Sequence, residues 1–331
     1  MTIYDIAEKL GVSAATVSLA LNGDSRVAEK TRLRVQAFAA EQGFSLNVQA
    51  RNFRLKRTYN VALVVHNIDN DFWHGIVRAI EAAMGEKYSL LICNTEGDPA
   101  QERKVLRNLI ARKVDGIIIQ AASRDERQLE EAVRSDIPVV TLEETENPLL
   151  SFVKGDDFDG ARCLTRRALA AGLRKIGFVS WNVDSLGVRR RLEGFRAALA
   201  EAGATDCRVL VAADDTAEAV CDRIAGSERD FELLICADGR MVWGLAGALA
   251  ERGIRVPEDL ALATWSNNQL FAFLTPPVTT VEIPMAEIGA AAAEIILSRL
   301  AGGGMERAAR LVPERLVERR SLRFHTDMVQ S

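Results

Sequence analysis

From Val61 onward the chain repeats one pattern: a short run of apolar, often β-branched residues, then a longer amphipathic stretch. Runs of that length read as buried strands, and the stretches between them as helices. Strands are predicted at Val61–Val65, Leu90–Cys93, Gly116–Ile119, Val139–Leu142, Ile176–Ser180, Val209–Val211, Leu233–Cys236 and Leu260–Thr264. Helices are predicted in the gaps, for example at Phe72–Lys87, Gln101–Arg112, Gly187–Ala202 and Arg240–Arg252. Such alternation specifies doubly wound parallel sheets, because parallel neighbours need a crossover helix. A tract of about 270 residues is long for one lobe, so two are expected. Lobe 1 is placed at about 61–157 plus part of 284–320, and lobe 2 at about 158–283 plus the C-terminal end.

The first 60 residues follow another rule. Thr2-x-x-Asp5 has the form of a capping box before Ile6, Ala7 and Leu10. Gly11-Val12-Ser13 breaks that helix, and Ser13 can cap a second one from Ala14 to Leu21, with Val17 and Leu21 on one face. Asn22-Gly23-Asp24 is a stop signal. A third helix is predicted from about Ala28 to Gln42, with Leu33, Ala37 and Ala40 inward and Gly43 as its stop. The expected organisation is an all-α helix-turn-helix headpiece at 1–45, a hinge helix or linker at 46–60, and a two-lobed α/β effector-binding and dimerisation domain at 61–331.

Charge separates the same parts. The chain of 331 residues carries a net −4, yet residues 1–59 hold 9 Lys or Arg against 5 Asp or Glu. The remainder holds 33 against 41. A basic head on an acidic body suits a polyanion met by the head alone. No apolar run is long enough to span a bilayer, and the start lacks the blocks of an export signal. A cytoplasmic, nucleoid-associated protein without membrane contact is therefore expected. Five scattered cysteines without a Cys-x-x-Cys pair argue for small buried hydrophobes, not disulfides or zinc.

The residues of the head go further than a generic helix-turn-helix. Ile3-Tyr4-Asp5-Ile6-Ala7, Gly11-Val12-Ser13, Thr16-Val17-Ser18, Leu21-Asn22-Gly23, Val27, Thr31 and Gly43-Phe44 follow one another in order. Asn47-x-x-Ala50-Arg51 comes next. Together they resemble the headpiece and hinge of the lactose-repressor (LacI/GalR) family. The likeness continues through Val114-Asp115-Gly116-Ile117-Ile118, Arg191-Leu192-Glu193-Gly194-Phe195-Arg196 and Thr275-Pro276-Pro277-Val278-Thr279-Thr280, and covers nearly the whole chain.

That resemblance implies double-stranded DNA with a palindromic operator as partner. Tyr4, Ser13, Thr16, Ser18, Asn22 and Thr31 are then expected to hold phosphates, which fixes register without reading sequence. Ala14, Ala15 and Leu19 stand where base edges are usually read. Leu19 replaces a common Arg and cannot make the bidentate contact to guanine that Arg makes, although apolar residues can meet thymine methyls. Packing in the headpiece core is the other use for Leu19. In the hinge, Asn47, Ala50, Arg51 and Arg54 are expected at DNA. Phe53 stands where the family usually has a Leu wedge, and either kinks the duplex or packs against its dimer mate or the core.

The body resembles periplasmic sugar-binding proteins, with a ligand beyond the carboxyl ends of the strands. This places Asn67, Asp71, Phe72, Trp73, Glu143 and Asp156 or Asp157 on one side, and Trp181, Arg191, Asp238, Trp265, Ser266 and Asn267 on the other. Arg191 matches the family's effector-anchoring Arg, with a surface ion pair as the alternative. Phe72 and Trp73 match an aromatic loop, with core packing as the alternative. Ser266 and Ala237 replace an Asp and an Asn. The stretch from Leu260 to Trp265, then Asn267 to Leu270, resembles the fructose-type branch that senses phosphosugars. A sugar or sugar phosphate is the expected effector, and a homodimer the expected assembly, since no leucine heptads follow Arg323.

No phosphate loop, dinucleotide fingerprint, nucleophile elbow or His-Glu-x-x-His motif is present, so no catalytic residue, metal or cofactor is expected and an enzyme is disfavoured. The reading is a DNA-binding regulator, most simply a repressor, tuned by a small polar metabolite. The rival is a solute-binding protein without a DNA role, which has no use for residues 1–57.

Overall fold

The computed structural model describes residues 1–44, 57–68, 72–122, 125–181, 186–204, 207–211, 217–225, 231–265, 268–304 and 306–322. The chain divides into two compact units, Met1–Thr58 and Tyr59–Ser331.

The described residues of the first unit form a cluster of three helices: α1 (Ile3–Leu10), α2 (Ala14–Leu21) and α3 (Glu29–Glu41). Local chemistry sets each boundary. Thr2 Oγ1 accepts from the Asp5 amide while Asp5 accepts from the Thr2 amide, a reciprocal cap. Gly11 ends α1 at φ +63°, where a side chain is strained. Ser13 Oγ accepts from the Thr16 amide at 3.0 Å and starts α2. Ile6, Ala7, Leu10, Val17, Ala20, Val27, Val35 and Ala39 form the core. The predicted inward face of α3 needs correction. Leu33, Ala37 and Ala40 are exposed, and Val35 and Ala39 point inward. Apolar residues surround this helix, so spacing alone fitted more than one face.

The described residues of the second unit form two six-stranded sheets. Lobe 1 is ordered β11-β5-β4-β3-β1-β2, with β1 (Asn60–Val65), β2 (Ser89–Asn94), β3 (Gly116–Ile119), β4 (Val139–Thr141), β5 (Ser151–Gly155) and β11 (Ala309–Val312). All its pairings are parallel. Lobe 2 is ordered β12-β10-β9-β8-β6-β7, with β6 (Ile176–Ser180), β7 (Cys207–Val211), β8 (Leu233–Cys236), β9 (Ala261–Trp265), β10 (Thr279–Glu282) and β12 (Arg315–Val317). Among the described residues only β12 runs antiparallel, against β10. Strands β5, β10, β11 and β12 were absent from the sequence prediction. The first carries Lys154 in its middle, and the last two are too short and polar to show an apolar run.

Helices cover the sheets: α4 (Phe72–Met84), α5 (Pro99–Ala111) and α6 (Arg127–Arg134) in lobe 1, and α7 (Asp157–Ala170), α8 (Leu186–Glu201), α9 (Ala217–Ala225) and α10 (Gly239–Glu251) in lobe 2. α11 (Met285–Leu300) returns to lobe 1, where Met285, Ile288, Ala292 and Ile296 join its core. The chain therefore passes between lobes three times, at 155–157, 282–285 and 312–315. Two helix pairs approach closely through glycine. A Cβ at Gly194 of α8 would lie 2.0 Å from the Phe158 carbonyl oxygen, and one at Gly289 of α11 would lie 2.6 Å from that of Ile76.

Among the described cysteines, Cys221 and Cys236 are buried as expected. Cys163 is exposed on α7 and Cys93 is half-buried, which corrects the uniform expectation.

Candidate functional site

In the headpiece, α2 presents its start to solvent. Ser13 and Ala15 are exposed, and Ala14, Thr16 and Ser18 are half-buried. Ser13 Oγ lies 2.8 Å from Thr16 Oγ1, so the two hydroxyls form one pair at the helix N-terminus, where backbone N–H groups favour an anion. Asn22 donates its side-chain amide to the Ser18 carbonyl at 2.6 Å, closing the other end of α2. Tyr4 is 75% exposed and Thr31 half-buried at the start of α3. Leu19 packs against the headpiece core, so its apolar character is used at least partly there. Asn47, Ala50, Arg51, Phe53 and Arg54 lie outside the described residues.

In the body, the carboxyl ends of both sheets bring charged side chains together around Arg191. Its Nε donates to Asp157 Oδ1 at 2.6 Å and its Nη1 to the Ala237 carbonyl at 2.6 Å. The guanidinium carbon sits 4.8 Å from the Trp265 ring centroid. The Trp265 indole N–H donates to Glu314 Oε2 at 2.9 Å. Arg191 is thus clamped at an edge, an end and a face, which fixes its plane. Of the two neighbours left open, Asp157 is the carboxylate at Arg191 and Asp156 is not. Asp156 caps α7 by accepting from the Asp159 amide at 3.1 Å.

Lys154 completes the cluster from β5. Its Nζ lies 3.0 Å from Asp157 Oδ2 and 3.2 Å from Glu143 Oε2, and its side chain is 9% exposed. Burial disfavours this ammonium, but Glu143 and Asp157 outweigh that and hold its pKa above the usual lysine value. Gln120 donates to Glu143 Oε1 at 3.2 Å. Glu144 and Arg190 form a two-pronged pair across the lobes, at 2.5 and 2.8 Å.

On the far side, Asp238 caps α10 and grips Arg240, whose guanidinium lies 5.9 Å from the half-buried Trp181 ring. Burial works against the Asp238 charge, yet the Arg240 bonds keep its carboxyl below the ordinary range. Trp73 requires a correction. It is 2% exposed in the lobe 1 core, and its indole N–H donates to the Asn67 carbonyl at 2.9 Å. Its role here is to anchor the loop after β1. Asn67 itself is exposed. Phe72 begins α4, its side chain lies outside the described residues, and so do Asp71 and Ser266.

Sequence reasoning missed Lys154, Gln120, Glu144, Arg190 and Glu314. A signal existed for Lys154, the one charge inside Ser151-Phe152-Val153-Lys154-Gly155. A lysine in a buried strand needs partners, and two carboxylates supply them.

Comparison with known proteins agrees with this architecture. A family model described as "Bacterial regulatory proteins, lacI family" matches residues 2–47, and one described as "Periplasmic binding protein-like domain" matches residues 165–322. The HTH-type transcriptional repressor PurR of Photobacterium profundum is 30% identical over 330 residues, covering 97% of this chain and 98% of the relative. The HTH-type transcriptional regulator DegA of Bacillus subtilis is 33% identical over 305 residues, covering 87% and 88%. A LacI-family regulator structure from Silicibacter pomeroyi aligns with a TM-score of 0.77 at 25% identity, covering 97% and 99%. The lac repressor dimer bound to operator and the anti-inducer ONPF shares the fold, with a TM-score of 0.84 at 22% identity, covering 97% and 99%. The chain belongs to the LacI family of bacterial regulatory proteins, as a transcription regulator with a helix-turn-helix DNA-binding headpiece and a periplasmic-binding-protein-like effector domain.

Proposed function

We propose that this regulator is a repressor that binds a palindromic operator as a homodimer, and that a neutral sugar held around Arg191 sets its operator affinity. The observation that carries the reading is the clamped Arg191: a planar donor fixed over an aromatic face, with carboxylates at its rim. Polyhydroxylated ligands suit such a site, since fixed charged groups take sugar hydroxyls; the Trp265 face itself is covered by Arg191 and 3% exposed, so it serves to hold the guanidinium and not to stack on the ring. Glu143, 29% exposed, offers a carboxylate acceptor where Ser266 and Ala237 carry none. Glu143 and Asp157 compensate Lys154 and Arg191, so among the described residues the cluster holds no unpaired cation for a phosphate, and the neutral sugar is preferred over the phosphorylated one. Two solved relatives point the same way. One is titled as the regulator CelR in complex with cellobiose, at 25% identity, and another as a putative ribose operon repressor from Burkholderia thailandensis, at 28%.

A ligand changes operator affinity only by binding one lobe arrangement better than another. Groups from both lobes meet at this cluster, so a ligand there has such a difference to exploit. The test is calorimetric titration of the full-length protein with neutral mono- and disaccharides and their phosphates. At least one neutral sugar is expected to bind, and Arg191→Met should weaken it roughly ten- to hundredfold, the worth of charged hydrogen bonds. Binding of phosphates alone overturns the neutral-sugar reading. Equal sugar affinity in the variant overturns Arg191 as anchor.

A further inference from the structure

Glu314 sits in the third passage between lobes, one residue before β12. Two glycines make room for it. A Cβ at Gly155, at the first passage, would lie 2.7 Å from Glu314 Oε1, and one at Gly160 of α7 would lie 2.2 Å from Glu314 Oε2. Ile283, from the second passage, packs at the same Gly155 position. All three passages therefore converge on this carboxyl group. Its Oε2 accepts the Trp265 indole N–H, and its Oε1 is buried with no hydrogen-bond partner among the described residues. We propose that Glu314 is a positioning residue: it holds Trp265 from the third passage and, through the indole face, fixes the Arg191 guanidinium, so that movement of the passage and engagement of Arg191 are coupled. The proposal rests on the reading of Arg191 as the effector anchor.

The charges around the site give this link a second property. Glu314 faces Asp157 of α7, Arg191 of α8, Lys154 of β5 and the neutral Trp265 of β9, while Ile283 brings no charge. With Glu143 on Lys154, three carboxylates share two cations. Burial, then the like charge of Asp157, push the Glu314 carboxyl up to about 7, against the pull of Arg191, the indole N–H and Lys154. A carboxyl whose folded pKa is raised stabilises the fold relative to its ionised form at low pH. That contribution is lost as pH rises from the unfolded value, about 4.3, through the folded one.

The test uses ligand-free, full-length protein labelled with 15N-tryptophan, so it does not depend on any sugar being found. The Trp265 indole resonance, assigned by Trp265→Phe, is expected to move with pH at a midpoint near 7. The movement should vanish in Glu314→Gln, which keeps an acceptor for the indole. Asp157→Asn should lower the midpoint by removing a like charge, and Arg191→Met should raise it by removing an opposite one. A glutamate serving structure alone leaves the resonance insensitive to pH over this range. That result, or a midpoint unmoved by both neighbours, overturns the proposal. Melting profiles provide a second measurement should a variant fold poorly. From pH 5 to pH 8 the wild type should lose a few degrees relative to Glu314→Gln. Parallel profiles contradict the link. If the resonance titrates as expected but no sugar binds, the anchor reading fails and the coupling of Glu314 to Arg191 stands.

Discussion

Ser13 uses one hydroxyl for two purposes: it caps α2 and stands, exposed, at the helix end proposed to meet phosphate. Ser13→Ala should therefore lower headpiece stability by about 1 kcal/mol, the usual worth of an N-cap. It should also weaken DNA binding by a similar factor for every sequence, since a phosphate contact does not discriminate bases. Thermal melting and binding to matched and mismatched duplexes check both parts. Single residues were the least legible scale in the sequence. Arg191 stood out because its chemistry and its place in the motif agreed. Trp73 did not reveal that its indole N–H is used inside lobe 1, because an aromatic after a strand serves core and ligand equally well. The Lys154, Asp157 and Glu314 cluster joins residues as far as 160 positions apart, which no spacing rule reaches.

Elements were far more legible. Capping signals at Thr2, Gly11 and Ser13 gave the first two helices, and apolar runs gave eight strands. The four missed strands are those whose apolar run is interrupted or brief, and whose pairing is set by the sheet beside them. The face of α3 was misjudged for a related reason: a helix apolar on several sides is oriented by its neighbours. Close helix pairs were also invisible before the fold was known. At Gly194 the α7 backbone leaves no room for a methyl group. Gly194→Ala should cost about 1–3 kcal/mol or more through displacement of α8, and α8 carries Arg190 and Arg191. Unfolding in urea should show the lost stability, and sugar titration a weaker affinity. An unchanged midpoint and affinity would mean that the helices separate freely.

For the molecule as a whole, charge and periodicity both change near residue 60, and the chain's two compact units are Met1–Thr58 and Tyr59–Ser331. What the sequence could not show is how the body's lobes are held. The Glu144–Arg190 pair spans them, partly exposed, and pairs of that kind are worth about 0.2–1 kcal/mol. Glu144→Gln should thus shift the lobe equilibrium by up to about fivefold, seen as a matching change in sugar affinity, with little change in melting temperature. No effect would place the balance of lobe arrangements in the buried cluster alone.

Under the proposed function, a sugar-responsive body governs a sequence-reading head. Selection of binding sites from random duplex DNA by the full-length protein, with and without neutral sugars, tests it most directly. An enriched palindrome is expected, and its enrichment should change when one of the sugars is present. Absence of any enriched sequence, at low salt as well as high and with every sugar, would contradict it.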